Sequence, residues 1–136
     1  MIIDASNGKI INTKDVYIHD AVLEDFRFDR NEKKLHLAIL KEWVPGNKKG
    51  SIDFLNVIGF EMTCCDFWGT SPHILDFEYV EQNNANFTFI SRLLEKNNNN
   101  DFPLCVLNDT MEKYFETKIT FTSGDLLTIA CERIIM

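Results

Sequence analysis

The sequence predicts a mainly β, antiparallel domain: a barrel or half-barrel of about six to eight strands with one packed helix. Three observations carry this. Apolar and polar residues alternate through residues 35–39, 75–79 and 119–131. Turn formers punctuate these runs, Asn7-Gly8 and Ser123-Gly124-Asp125 among them. Only residues 87–96 space their apolar side chains as a helix does. A two-layer α+β sheet is the alternative architecture.

A chain of 136 residues fits one domain, residues 1–136. At this size, folding buries roughly two-thirds of the unfolded chain's surface. The hydrophobic fraction of 45% and the charged fraction of 26% belong to a globular protein, and eleven Phe supply bulk for its core.

Taken in order, Ile2-Ile3 and Ile10-Ile11 flank Asn7-Gly8, which predicts a short hairpin. In residues 16–28, Val16, Ile18, Val22, Phe26 and Phe28 share one parity with Asp20 and Glu24. A β-bulge near residues 19–21 would relieve that conflict. The polar residues 29–34 then turn the chain into Leu35, Leu37 and Ile39, giving a second hairpin. Residues 44–50, with Pro45, Gly46 and Gly50, read as a loop, and a third strand starts at Ser51.

Residues 52–80 form the densest apolar block, two strand-like ends paired around Trp68-Gly69-Thr70-Ser71-Pro72-His73. Residues 57–62 are apolar on both parities, so this part is buried on both faces or bulged at Gly59. After the turn, Leu75, Phe77 and Tyr79 face one way, with Asp76 and Glu78 the other. In residues 87–96, Phe87, Ile90, Leu93 and Leu94 form a helical stripe, with Asn86 as N-cap and Lys96 near the far end. Residues 97–101 read as a surface loop, residues 104–107 as a short strand or helical turn, and residues 109–115 are compatible with a second short helix without the apolar stripe of residues 87–96. Ile119 and Phe121, then Leu127, Ile129 and Cys131, close the chain as a hairpin.

Composition excludes several classes of function. The formal charge of −7 disfavours a phosphate backbone, and no basic cluster is larger than Lys48-Lys49 with its neighbours. The expected partner is a basic protein, not nucleic acid or membrane. No apolar run reaches the roughly 18 residues of a membrane span, and the start lacks a signal-peptide pattern, which predicts a cytoplasmic protein. Four Cys, two of them adjacent at Cys64-Cys65, predict reduced thiols.

Each candidate for chemistry has a structural counterpart. His19-Asp20 occurs as a metal-binding dipeptide, but on a strand the two side chains diverge and cannot share an ion. Cys64-Cys65, with Asp66 and His73, lacks the spacing that brings two thiolates onto one zinc. Trp68, Gly69, Ser71 and His73 offer a flat aromatic face with hydrogen-bonding neighbours, or else a plug at the end of the sheet. Asp53, Asp66, Asp76, Glu78 and Glu81 gather around the central strands as a wet acidic face.

His19-Asp20-Ala21, the FWGTSPHI run at 67–74 and ITFTSGDLLTIACERI at 119–134 together resemble a poorly characterised family of small acidic proteins of Gram-positive bacteria. Its members are sometimes encoded beside polymorphic toxins. The resemblance implies a non-enzymatic, immunity-like protein and points to His19, Asp20, Trp68, Gly69 and His73 as the place to look.

The expected function is thus a small, non-catalytic, cytoplasmic protein-binding module, with an immunity protein that neutralises a toxin as one form of it. Its expected binding residues are His19, Asp20, Trp68, Gly69, Ser71, His73, Asp76 and Glu78, with no catalytic residue, metal or cofactor. A small-molecule-binding β-barrel with Trp68 and His73 at its mouth is the alternative, and a hydrolase or metal enzyme ranks third.

Overall fold

The structure, a computed structural model, describes residues 2–4, 9–11, 18–63, 72–80, 88–98 and 114–136. The strands are β1 Ile2–Asp4, β2 Lys9–Ile11, β3 Val22–Asp29, β4 Lys34–Lys41, β5 Lys48–Leu55, β6 Gly59–Met62, β7 Ile74–Val80, β8 Phe115–Phe121, β9 Leu126–Cys131 and β10 Arg133–Ile135. The helix, α1, is Thr88–Asn98. Every strand pairing is antiparallel. One sheet runs β2-β1-β10-β5-β4-β3 and the other β6-β9-β8-β7. The protein is therefore mainly β, as two sheets of linear strand order. Ten strands lie among the described residues, more than expected, because the two segments that cross between sheets each contribute two.

That crossing occurs at one corner. Asn56 takes a φ of 52°, breaking β5 from β6, while Glu132 separates β9 from β10. Glu132 N donates to Leu55 O at 3.1 Å, Ile58 N donates to Ala130 O at 2.9 Å, and Asn56 Nδ2 donates to Glu132 Oε2 at 2.8 Å. The same two stretches thus pair as β5/β10 in one sheet and as β6/β9 in the other. Residues 57–62 are consequently a sheet change, not a doubly buried strand or a bulge at Gly59. Gly59 has another role: a Cβ there would lie 2.8 Å from Leu93 Cδ1, so its absence lets α1 approach.

The main core lies between the sheets, with Leu35, Leu37, Ile39, Ile52 and Phe54 meeting Ile74, Ile119, Phe121, Leu127 and Ile129. Each such buried side chain contributes about 1.5–3 kcal/mol. α1 covers part of the other face of the smaller sheet, setting Phe89 and Ile90 on Ala130 with Ile58, Leu93 and Tyr114 around them. β9 is therefore buried on both faces, which its alternation alone does not reveal.

Several local expectations shift. The hairpins β1/β2, β3/β4 and β8/β9 form as expected. β5 begins at Lys48, because its pairing with β4 runs out to Lys41↔Lys48 and shortens the loop to residues 42–47. The bulge in β3 falls between Leu23 and Asp25, not at residues 19–21. β6 and β7 flank the tryptophan segment but do not pair with each other; β9 and β8 lie between them. A bulge between Ile74 and Asp76 leaves Leu75 47% exposed, while Phe77 packs against the core. Phe115 starts β8, and residues 109–113 of the expected second helix lie outside the described residues. Residues 64–71, with Cys64, Cys65, Asp66, Trp68, Gly69 and Ser71, lie outside the described residues, as do Glu81, Asn86, Phe87 and the segment 104–107.

Candidate functional site

Residues 18–21 form a turn into β3, not strand as expected. Ala21 N donates to Ile18 O at 3.0 Å, and Asp20, third in the turn, has a φ of 66°. A short polar side chain tolerates this left-handed backbone, which a β-branched residue would resist. The turn then docks on the start of β7. Asp20 N donates to Ile74 O and Ile74 N to Ala21 O, both at 2.8 Å, and Leu23 N donates to Pro72 O at 2.9 Å. Val22 and His73 complete an antiparallel bridge between the edges of the two sheets.

His73 is also held from its other side. Its carbonyl accepts from Thr122 N at 2.9 Å, and its amide donates to Thr122 Oγ1 at 3.0 Å. Residues 18–21, 72–74 and 122 therefore make one seam, bringing His19 and Asp20 together with His73 although more than fifty positions separate them.

Two imidazole–carboxylate contacts occur at this seam. His19 Nδ1 lies 3.1 Å from Asp20 Oδ2, because a turn, unlike a strand, lets neighbouring side chains converge. His73 Nε2 lies 3.9 Å from Glu42 Oε2, which comes from the turn after β4. Glu42 was not singled out in the sequence: it is one acid in a polar loop, and only the fold delivers it. Beside it, Trp43 is 44% exposed.

Asp76 and Glu78 lie on β7, beyond the seam, and both are exposed. Asp76 Oδ1 accepts from Phe77 N at 3.0 Å, and Glu78 stands opposite Lys118 in the β7/β8 register. Asp53 is not part of this acidic face. It belongs to the other sheet, where its Oδ1 contacts His36 Nδ1 at 2.6 Å and Lys34 Nζ at 3.3 Å. The His36↔Asp53 cross-strand register places that pair, and it was legible only once the hairpin register was known. With two basic neighbours Asp53 is electrostatically satisfied, as a structural ion pair on a half-wet sheet face.

The seam can give and accept hydrogen bonds and present negative charge. Among the described residues, no three His, Cys, Asp or Glu side chains are grouped as a metal ion would require. His19 with Asp20 supplies one imidazole and one carboxylate, short of a tetrahedral ligand set. Also among the described residues, no helix is long and apolar enough to cross a membrane.

A mainly β protein of two laced antiparallel sheets, with exposed carboxylates on β7 beside a polar seam, is the class that fold and site define. No protein-family model and no curated protein matches the chain. Among solved structures, an uncharacterized protein from Neisseria gonorrhoeae is similar at 19% identity and a TM-score of 0.44, over 88% of this chain and 91% of that chain.

Proposed function

We propose that the chain is a non-catalytic, cytoplasmic protein-binding module, and that the seam with β7 is its docking surface. The observation that carries this is β7 itself: the outer strand of its sheet among the described residues, with Leu75 pushed outward by a bulge and Asp76 and Glu78 exposed after it. An apolar protrusion followed on its strand by two exposed carboxylates suits a basic protein surface, with charge steering the encounter and Leu75 contributing contact area. The net charge of −7 acts in the same direction. In this reading the two sheets, laced at the Asn56–Glu132 corner and along the Val22–His73 seam, act as a half-barrel wall with β7 on its rim.

An immunity protein that covers the active site of a basic toxin domain is the form of this function that the charge favours. The test is co-expression with each toxin encoded beside the chain, scoring survival and recovering the complex. Rescue that disappears when Asp76 and Glu78 are replaced by Lys is the expected result. Absence of both rescue and complex with every such toxin would remove the proposal.

A further inference from the structure

We infer that the partner lays a basic amphipathic helix beside α1, on the part of the smaller sheet's outer face where side chains are exposed. This rests on the protein-binding reading above and specifies what that surface receives.

Register divides this face into three rows across the strands. Glu116, Ala130 and Gly59 stand side by side in the first row, and Glu78, Lys118, Thr128 and Glu61 in the second. Asp76, Thr120 and Leu126 form the third. Thr63 extends it, its amide donating to Leu126 O at 3.0 Å and its Oγ1 accepting from Leu126 N at 3.1 Å. α1 lies along the first row and crosses the strands: Ile90 N donates to Glu116 on β8, while Leu93 packs at Gly59 on β6. Burial falls off from row to row in the whole folded chain. Glu116, Ala130 and Thr128 are buried, whereas in the third row Thr120 and Leu126 are half-buried and Asp76 and Thr63 exposed.

The dimensions suit a second helix. Residues of one face recur about 7 Å apart along a strand, so the third row lies about 13 Å from the first, beyond the roughly 10 Å spacing of packed helices. Four strands about 4.8 Å apart span about 14 Å, which a helix of about ten residues crosses.

Charge decides which helix fits. At the β6 end, Glu61 is held by Arg92 at 2.6 Å. The middle of the third row, Thr120 and Leu126, is uncharged. At the β7 end Asp76 stands opposite Thr120 instead of a base, and Lys118 opposite Glu78 is one base against two acids. Exposed Leu75 adds apolar area at that end. The matching helix therefore sets an apolar stripe over Thr120 and Leu126 and its Lys or Arg over β7. A second copy of α1 fits less well, because its exposed positions pair Glu95 with Lys96 and its Arg92 is already held. The outer face of the larger sheet is also a poorer match, since Lys34 and His36 hold Asp53 there.

The experiment is an NMR titration of the full chain with three synthetic peptides of about eighteen residues, long enough to hold a helix. One carries leucine at helical spacing with lysine at one end; the second scrambles its order so that the stripe is lost; the third replaces lysine by glutamate. The first should shift the amide signals of Thr63, Asp76, Thr120 and Leu126. Scrambling should weaken binding about tenfold, and the glutamate peptide should not bind. Thr120→Arg, which sets bulk and positive charge in the middle of the third row, should weaken the first peptide about tenfold with the urea midpoint unchanged. Equal binding by the scrambled peptide, shifts confined to residues 18–21 or to the larger sheet, or no binding at all would overturn the helix site. A dimer of the chain that Thr120→Arg dissolves would overturn it too, by putting a second copy there. Toxin rescue that persists in the Thr120→Arg variant would overturn this inference alone, whereas absence of rescue and complex in the parent removes the protein-binding reading itself.

Discussion

Glu116 accepts a hydrogen bond from the backbone amide of Ile90 at 2.7 Å, tying the first turn of α1 to the start of β8. The carboxylate is fully buried, and its second oxygen, Oε2, has no hydrogen-bond partner. An acid at a helix N-terminus is favoured by the exposed amides and the helix dipole, which helps explain a charge in this position.

Removing this anchor should loosen the helix. Glu116→Ala is expected to cost about 2 kcal/mol, because it deletes the acceptor and leaves Ile90 N–H buried without one. Glu116→Gln keeps an acceptor and should cost about half as much. Urea unfolding of both variants checks this, and an Ala variant as stable as the parent would contradict the anchoring role.

Gly59 and Leu93 should be energetically coupled. Gly59→Ala forces the Leu93 side chain to move and is expected to cost about 1 kcal/mol. Leu93→Ala removes the obstruction, so the double variant should be more stable than the sum of single effects predicts. Strict additivity in a double-mutant cycle would mean that the close approach is not the constraint.

Asp20 separates conformational from binding roles. Asp20→Gly suits the positive φ and should leave stability nearly unchanged, whereas Asp20→Ala should lose about 1 kcal/mol. Both delete the carboxylate beside His19, so both should weaken partner binding equally. Thermal unfolding alongside binding distinguishes the two effects, and binding that followed stability alone would reduce Asp20 to a turn residue.

Cys131 gives a pH dependence of defined sign. Burial pushes its thiol well above the ordinary range. A pKa raised on folding contributes stability that is fully present below the unfolded thiol's value, about 8.5, and is lost as pH rises above it. The slope approaches about 1.4 kcal/mol per pH unit between the two pKa values. Cys131→Ala should therefore flatten the loss of stability between about pH 9 and pH 10. Identical slopes in parent and variant would show that the thiol does not ionise on unfolding.

Asp76→Lys combined with Glu78→Lys should cost about 1 kcal/mol, because Glu78→Lys sets a lysine opposite Lys118 in the β7/β8 register although both side chains are exposed. Partner binding should nevertheless be lost, together with its salt dependence. A variant that bound as before would exclude these carboxylates from the docking surface.

Much of the fold was legible along the chain because it is local. Leu35, Leu37 and Ile39 alternate with half-wet neighbours as their spacing requires, and α1 falls where the apolar stripe of residues 87–96 placed it. The reading failed where long-range pairing overrode a local pattern. Residues 57–62 look like one buried strand but change sheets at Asn56, because Glu132 and Ala130 offer their backbone there. His19 and Asp20 look like strand residues, but the partner that fixes their turn, Ile74, is distant in sequence.

The candidate site divides the same way. The sequence by itself determined the strand types, the hairpins, the acidic balance and the residues worth testing, since alternation, turn chemistry and charge are properties of neighbours. Only the tertiary structure decided that His19, Asp20, Glu42 and His73 share a seam, that Asp53 belongs elsewhere, and that Leu75 points outward. Those outcomes depend on which edges meet and where a ladder slips by one residue, and the energy that selects them comes from contacts between segments far apart in the chain.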